Sequence, residues 1–136
     1  MAAEEAHDGR GRGFDITVVA TSRPGEVCAR LQGELEISTV PGARKRVAEL
    51  THKGSELVLD LRGLSFIDSS GLGLVLGLAA DSTREGWNLS LIPGPTVVQR
   101  VFQMTGTQER LPFKGVPEDQ RRYPESSSRR ERWLRP

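Results

Sequence analysis

The 136-residue sequence is short of the residues that announce a metal centre, a disulfide scaffold or a membrane span. Its single cysteine, Cys28, cannot close a bridge within the chain, and His7 and His52 have no Cys or His partner at ligand spacing. A disulfide framework and a zinc module are both excluded. The longest nearly unbroken apolar run, Gly71 to Ala80, is about half of the ~20 residues a membrane span needs. The first residues, MAAEEAHDGRGRG, also lack the apolar stretch of a leader. A soluble, cytoplasmic protein with no membrane partner is expected. Charge of one sign is lacking too: 19 Lys and Arg against 18 Asp and Glu leave a net +1, far from the basic balance of a nucleic-acid binder. With only 5% aromatic residues but 15 glycines, a tightly packed core of small residues is expected. The length suits one domain, since single cores use roughly 100 to 200 residues.

The ends differ from the middle. Residues 1–13 are charged, Gly-rich and aperiodic, and residues 114–136 (KGVPEDQRRYPESSSRRERWLRP) mix Pro, Ser and Arg without a helical or strand period. Both are expected to be disordered, the second as a basic tail with seven basic and four acidic side chains. Ser126 to Ser128, followed by Arg129, Arg130 and Arg132, carry no specific partner on that reading. Between the ends, Phe14, Ile16, Val18 and Ala20 alternate with polar residues, and Val27, Ala29 and Leu31 alternate with Cys28, Arg30 and Gln32 across an SRPG turn. This predicts a hairpin with one buried face, in which Cys28 is a small strand residue.

The period then changes. Ser38 or Thr39 offers a helix cap, Pro41 suits a first turn, and Ala43, Val47 and Leu50 follow at helical spacing up to Lys53-Gly54, with His52 as a surface group. Leu57 to Leu61 reads as an interior strand covered on both faces. A helix is expected from Asp68-Ser69-Ser70-Gly71 to about Glu85, with Leu72, Val75, Leu76 and Ala79 as its stripe and Gly86 as its stop. Trp87 is placed at the sheet edge, Asn88 to Ile92 forms a strand, and Thr96 to Met104 a last helix in which Phe102 and Met104 pack. The sum is an α/β domain over residues 14–113 with four strands and three helices.

Chemistry concentrates where Phe66-Ile67-Asp68-Ser69-Ser70-Gly71-Leu72-Gly73 turns into a helix. A hydroxyl there can cap the helix, and the same unpaired amides and positive helix end would stabilise a phosphate placed on it. Both roles stay open for Ser69. Gly73 and Gly77, with Ala80, read as a small-residue seam against a neighbour. A dinucleotide fingerprint is disfavoured, because these glycines lie inside the helix and no acid ends the next strand, NLSLI. No histidine lies in the segment, the nucleophile-elbow spacing is missing, and Asp60 and Asp68 lack an acid–base partner. An enzyme is not expected, and neither a cofactor nor a metal is implied.

The stretch DLRGLSFIDSSGLGLVLG resembles the signature of the STAS domain, specifically the bacterial anti-sigma factor antagonists. LQGELE (Leu31 to Glu36) resembles the family's strand-two motif, with Glu36 where Asp is usual, and TVVQRVFQMTGTQERLPF (Thr96 to Phe113) resembles its closing helix and segment. The resemblance implies a small mixed β-sheet of four to five strands with helices mainly on one side. It implies a regulator of transcription in stress response or sporulation: unphosphorylated, it binds an anti-sigma factor that is a serine/threonine protein kinase and so releases a sigma factor. Phosphorylation by that kinase breaks the complex, and a PP2C-type phosphatase would reverse it. The phosphoacceptor follows the Asp, which maps onto Ser69, with Ser70 as second choice. Glu34, Glu36, Asp68, Ser69, Ser70, Gly71 and Leu72 become the expected partner-binding set, on a monomer or weak dimer. The competing class is a constitutive scaffold or small-ligand module in which Ser69 only caps its helix.

Overall fold

Parallel pairing needs a crossover, and the order of strand and helix periods supplies two of them. The structure, a computed structural model, describes residues 13–115. Strands β1 (Phe14–Ala20), β2 (Glu26–Leu35), β3 (Glu56–Ile67) and β4 (Asn88–Ile92) form one mixed sheet in the order β1-β2-β3-β4. The β1–β2 hairpin is antiparallel, and β2–β3 and β3–β4 are parallel. Helix α1 (Val40–Leu50) makes the first crossover and α2 (Ser69–Glu85) the second. Helix α3 (Thr96–Met104) and a 3-10 turn (Gln108–Arg110) follow β4. The fold is thus the single α/β domain expected, with a four-stranded mixed sheet and three helices.

All three helices bury their apolar stripes against the same side of the sheet. Ala43 and Val47 of α1, Leu74, Val75 and Leu78 of α2, and Val98 and Phe102 of α3 pack on Leu31, Leu57, Leu59, Leu61 and Leu91. Phe102 meets Phe113 edge-on, with ring centroids 5.2 Å apart. The stripe of α2 is therefore centred on Leu74, Val75 and Leu78, while Leu72, Leu76 and Ala79 are only half buried at its margin. Trp87 joins the core rather than the sheet edge and is 4% exposed, its indole Nε1 donating to Glu85 Oε1 at 3.1 Å. On α3, Phe102 packs as expected but Met104 is exposed. Gly86 ends α2 with φ of +81°, a left-handed conformation that favours glycine, and its amide donates to Ser82 O.

Two expectations fail for one physical reason each. Strands β2 and β3 run on to Leu35 and Ile67 because the β2–β3 ladder absorbs register shifts around Gln32 and Gly33 and resumes at Glu34↔Phe66 and Leu35↔Ile67. The hairpin is also not one-faced. Cys28 and Arg30, read as the polar phase of β2, are buried with Val58, Ile92 and Asp60 on the side away from the helices. Gly13 and Lys114 still bond to the sheet, through Glu34 N to Gly13 O at 3.0 Å and Lys114 N to Leu91 O at 2.8 Å. The remaining residues expected to be disordered, 1–12 and 116–136, lie outside the described residues, as do the His7 and Ser126 to Ser128 readings.

Candidate functional site

The extended β2–β3 ladder delivers two loops to one end of the sheet, where β2 feeds α1 and β3 feeds α2. Asp68 joins them. Its Oδ1 accepts from Gly71 N at 3.0 Å, which caps α2, and its Oδ2 accepts from Ile37 N at 3.2 Å, in the loop before α1. Its own amide donates to Leu35 O at 3.2 Å, and its carbonyl accepts from Leu72 N at 2.9 Å. One side chain therefore sets both the start of the helix and the path of the neighbouring loop.

That removes the capping role from Ser69. It is the first residue of α2, exposed, and its hydroxyl bonds to no described group. The amides of Ser69 and Ser70 also find no acceptor among the described residues, so the helix start presents two donors and the positive end of its dipole. Ser70 is half buried. An Asp68→Ala protein is expected to lose about 1 kcal/mol (0.5–2) of stability with the cap. It should also exchange the Ile37 amide faster, as read by hydrogen–deuterium exchange.

Gly71 is the residue that lets this corner close. A Cβ there would stand 2.6 Å from Leu35 O and 2.7 Å from Ile67 Cγ1, so only glycine allows the first turn of α2 to rest on the ends of β2 and β3. The seam expected at Gly73 and Gly77 is not a packing surface. Nothing lies within 4 Å of a Cβ built at Gly73, and only Arg44 Nη1, at 3.7 Å, approaches one at Gly77. The close approach is at Gly71, two residues before Gly73.

The acidic residues of the set behave differently from one another. Glu34 is exposed on the last turn of the ladder, and its carbonyl accepts from Thr39 Oγ1 at 2.9 Å. Thr39, at the cap position of α1, spends its hydroxyl there and on Glu36 N at 3.0 Å instead of on a helix amide. The Glu36 carboxylate is bound by the Ser38 hydroxyl and by Ser38 N at 3.0 Å. These bonds hold its pKa below the ordinary 4.5. The stabilisation is present above pH 4.5 and is lost as pH falls through the lower folded-state value. A Ser38→Ala protein should show the Glu36 titration midpoint moving up in carboxyl NMR.

Gly71 and Leu72 belong to the packing: the first is buried and the second half buried against the core. Two residues that sequence reasoning passed over lie at this end of the sheet. Ile37 is 70% and Phe66 45% exposed, two of the large hydrophobic side chains left outside the core. Phe66 sits opposite Glu34 in the ladder, and Ile37 is tied to Asp68. An isoleucine stranded between Glu36 and Ser38 was the available signal. The corner thus offers an apolar pair, an acid and an exposed hydroxyl, and among the described residues no group of His, Cys, Asp or Glu is arranged to hold a metal.

A mixed sheet with three helices on one side and a serine at the start of the second crossover helix defines a class of small α/β domain. The chain belongs to the STAS domain family, whose model matches residues 17–119, and proteins similar to it include anti-sigma factor antagonists. It is 39% identical over 83 residues to the anti-sigma F factor antagonist of Lysinibacillus sphaericus, covering 59% of this chain and 70% of that protein. The solved structure of the anti-sigma factor antagonist SpoIIAA in its unphosphorylated form shares the fold, with a TM-score of 0.58 at 23% identity over 89% of this chain and 99% of that one. The Bacillus cell fate determinant SpoIIAA in the phosphorylated form does so with a TM-score of 0.54 at 23% identity, over 76% and 93%. Among the described residues no helix is long and apolar enough to cross a membrane.

Proposed function

We propose that this chain is a cytoplasmic, non-enzymatic anti-sigma factor antagonist. Unphosphorylated, it binds an anti-sigma factor of the serine/threonine kinase type and thereby releases a sigma factor; phosphorylation of Ser69 ends the complex. The names of the relatives support the kind of partner, and SpoIIAA has been solved both with and without phosphate. The observation that carries the reading to Ser69 is its exposed hydroxyl, which the helix does not use because Asp68 already caps it.

In the transfer, Ser69 Oγ forms a bond to the γ-phosphorus of ATP, the bond from that phosphorus to the β,γ-bridging oxygen breaks, ADP leaves, and the hydroxyl proton passes to a base of the kinase. The chain contributes position. Ser69 is held on a rigid helix start beside Ile37, Phe66 and Glu34, which form the face that meets the kinase, while Glu36 shapes the loop. The phosphate adds about 1.5 to 2 negative charges next to two open amides and the helix dipole, so the fold tolerates it. The partner surface, matched to the neutral hydroxyl, does not.

Wild type, Ser69→Ala and Ser69→Asp used as baits test this, together with intact mass of the protein from its own cells. A kinase-fold protein retained by wild type and Ser69→Ala but not by Ser69→Asp, and one phosphate lost in Ser69→Ala, are the expected results. Equal behaviour of the three baits without any phosphate would contradict the switch and favour a constitutive scaffold.

A further inference from the structure

The loop between β2 and α1 is fixed more completely than a surface connection needs to be. Glu36 N donates to Thr39 Oγ1 at 3.0 Å, Ile37 N to Asp68 Oδ2 at 3.2 Å and Ser38 N to Glu36 Oε1 at 3.0 Å. The amides of Thr39 and Val40 both donate to Glu36 O, at 2.9 and 3.0 Å. Every backbone amide from Glu36 to Val40 is thus satisfied, and the side chain this turn holds out to solvent is an isoleucine, 70% exposed. One exposed apolar side chain is ordinary by itself. Val97 and Met104 are exposed as well, but they stand on α3, whereas Ile37 shares the Asp68 carboxylate with the helix start that carries Ser69.

The acid beside it is engaged within the loop. Glu36 Oε1 accepts from Ser38 N and Oε2 from the Ser38 hydroxyl, so both carboxylate oxygens are turned onto the residue two positions on. The same two bonds are what lower its pKa. To pair with a cation on another protein, the carboxylate would have to give up or share them, and the turn that presents Ile37 would loosen with it. What the loop offers a partner is a fixed apolar knob.

Position decides what meets it. Asp68 bonds Ile37 N and directly precedes Ser69, so the Cα atoms of Ile37 and Ser69 lie within about 12 Å of each other. A standard interface covers about 800 Å² per partner, a patch reaching about 16 Å from its centre. A protein that centres its contact on Ser69 therefore covers Ile37 too. Because the turn is already ordered, burying that side chain carries little further entropy cost, which is what makes a preorganised residue an effective anchor.

Resting on the reading of this corner as the kinase-binding face, we propose that Ile37 is the residue by which the kinase-type partner recognises this antagonist. Its side chain enters an apolar pocket of the kinase, while Glu36 holds the loop and forms no ion pair across the interface. Ile37 determines specificity, and Glu36 is a positioning residue.

Titration calorimetry of the kinase captured by wild type against wild type, Ile37→Val, Ile37→Ala and Glu36→Gln tests this. The changes at Ile37 leave its backbone bond to Asp68 in place, and a glutamine at position 36 keeps an oxygen for Ser38 N. A graded loss is expected: affinity about fourfold lower for Ile37→Val, which removes one methylene, about ten- to a hundredfold lower for Ile37→Ala, and within about twofold of wild type for Glu36→Gln. Protection of the residue 37 amide from hydrogen exchange should be the same in Ile37→Ala as in wild type. Undiminished affinity of Ile37→Ala, a loss for Glu36→Gln as large as for Ile37→Ala, or a deprotected amide that assigns the loss to the loop would each overturn the inference. So would a wild-type chain that dimerises in sedimentation while Ile37→Ala does not, since the knob would then meet a second copy. Where wild type retains the kinase and Ser69→Asp does not, an insensitive Ile37 overturns the anchor alone; where wild type captures no kinase, the functional reading falls and the anchor with it.

Discussion

An Asp60→Asn protein is expected to unfold with about 3–5 kcal/mol less free energy than the parent. Asp60 is fully buried, accepts from the Arg62 backbone amide at 3.0 Å as well as from its guanidinium, and faces Arg30. Neutralising it removes the carboxylate on which both guanidiniums converge among the described residues. Against a typical domain stability of about 5–15 kcal/mol, the loss is a large part of the whole. Urea denaturation should show the midpoint falling at a near-constant slope. A loss within about 1 kcal/mol for Asp60→Asn, the range of exposed ion pairs, would mean that the cluster is solvated.

Ser69→Asp should do the opposite: leave the fold alone and abolish binding. A carboxylate at the first position of α2 sits beside the open amides of Ser69 and Ser70, where negative charge is favourable by about 0.3–1 kcal/mol. Its melting temperature is therefore expected at or slightly above that of wild type. In the complex the same charge, next to Asp68 and Glu34, faces a surface fitted to a neutral hydroxyl. Like-charge and desolvation penalties of several kcal/mol there correspond to a loss of affinity on the order of a hundredfold or more. Titration calorimetry with the captured kinase reads the affinity, and scanning calorimetry reads the fold. Retained affinity, or a collapse of the melting temperature, would contradict the mechanism.

The order of elements was legible because it follows from period and punctuation. The alternation of β1, the helical spacing of Ala43 and Val47, and Gly86 after Glu85 each reflect one local rule, and each element is where that rule puts it. The helix start was legible in outline, since an Asp-Ser-Ser-Gly run before an apolar helix has few structural meanings. Its internal division was not. Asp68 and Ser69 are both good caps by type, and only the path of the chain, which turns Asp68 toward Gly71 N and Ile37 N, decides between them. Exposure of Ile37 and Phe66 depends on where the ladder ends, and that end lay hidden behind the irregular register at Gln32 and Gly33. The closed second face was illegible for a different reason. Arg30 and Asp60 carry the residue types of a solvent face, and their meeting across the β2–β3 pair is a long-range contact that no local pattern carries. Gly71, not Gly73 or Gly77, is the contact glycine because at its position the helix backbone comes closest to Leu35 and Ile67, while a Cβ at Gly73 would meet nothing within 4 Å.

Phosphate on Ser69 is expected to change the surface and not the fold. The most direct measurement takes the chain phosphorylated at Ser69 by its captured kinase, purifies it to one phosphate by intact mass, and compares its affinity for that kinase and its melting temperature with those of the unmodified chain. The expected result is an affinity lower by about a hundredfold or more, the scale of a several-kcal/mol charge penalty, with the melting temperature essentially unchanged. Equal affinities, or phosphate found on Ser70 with Ser69 untouched, would contradict it.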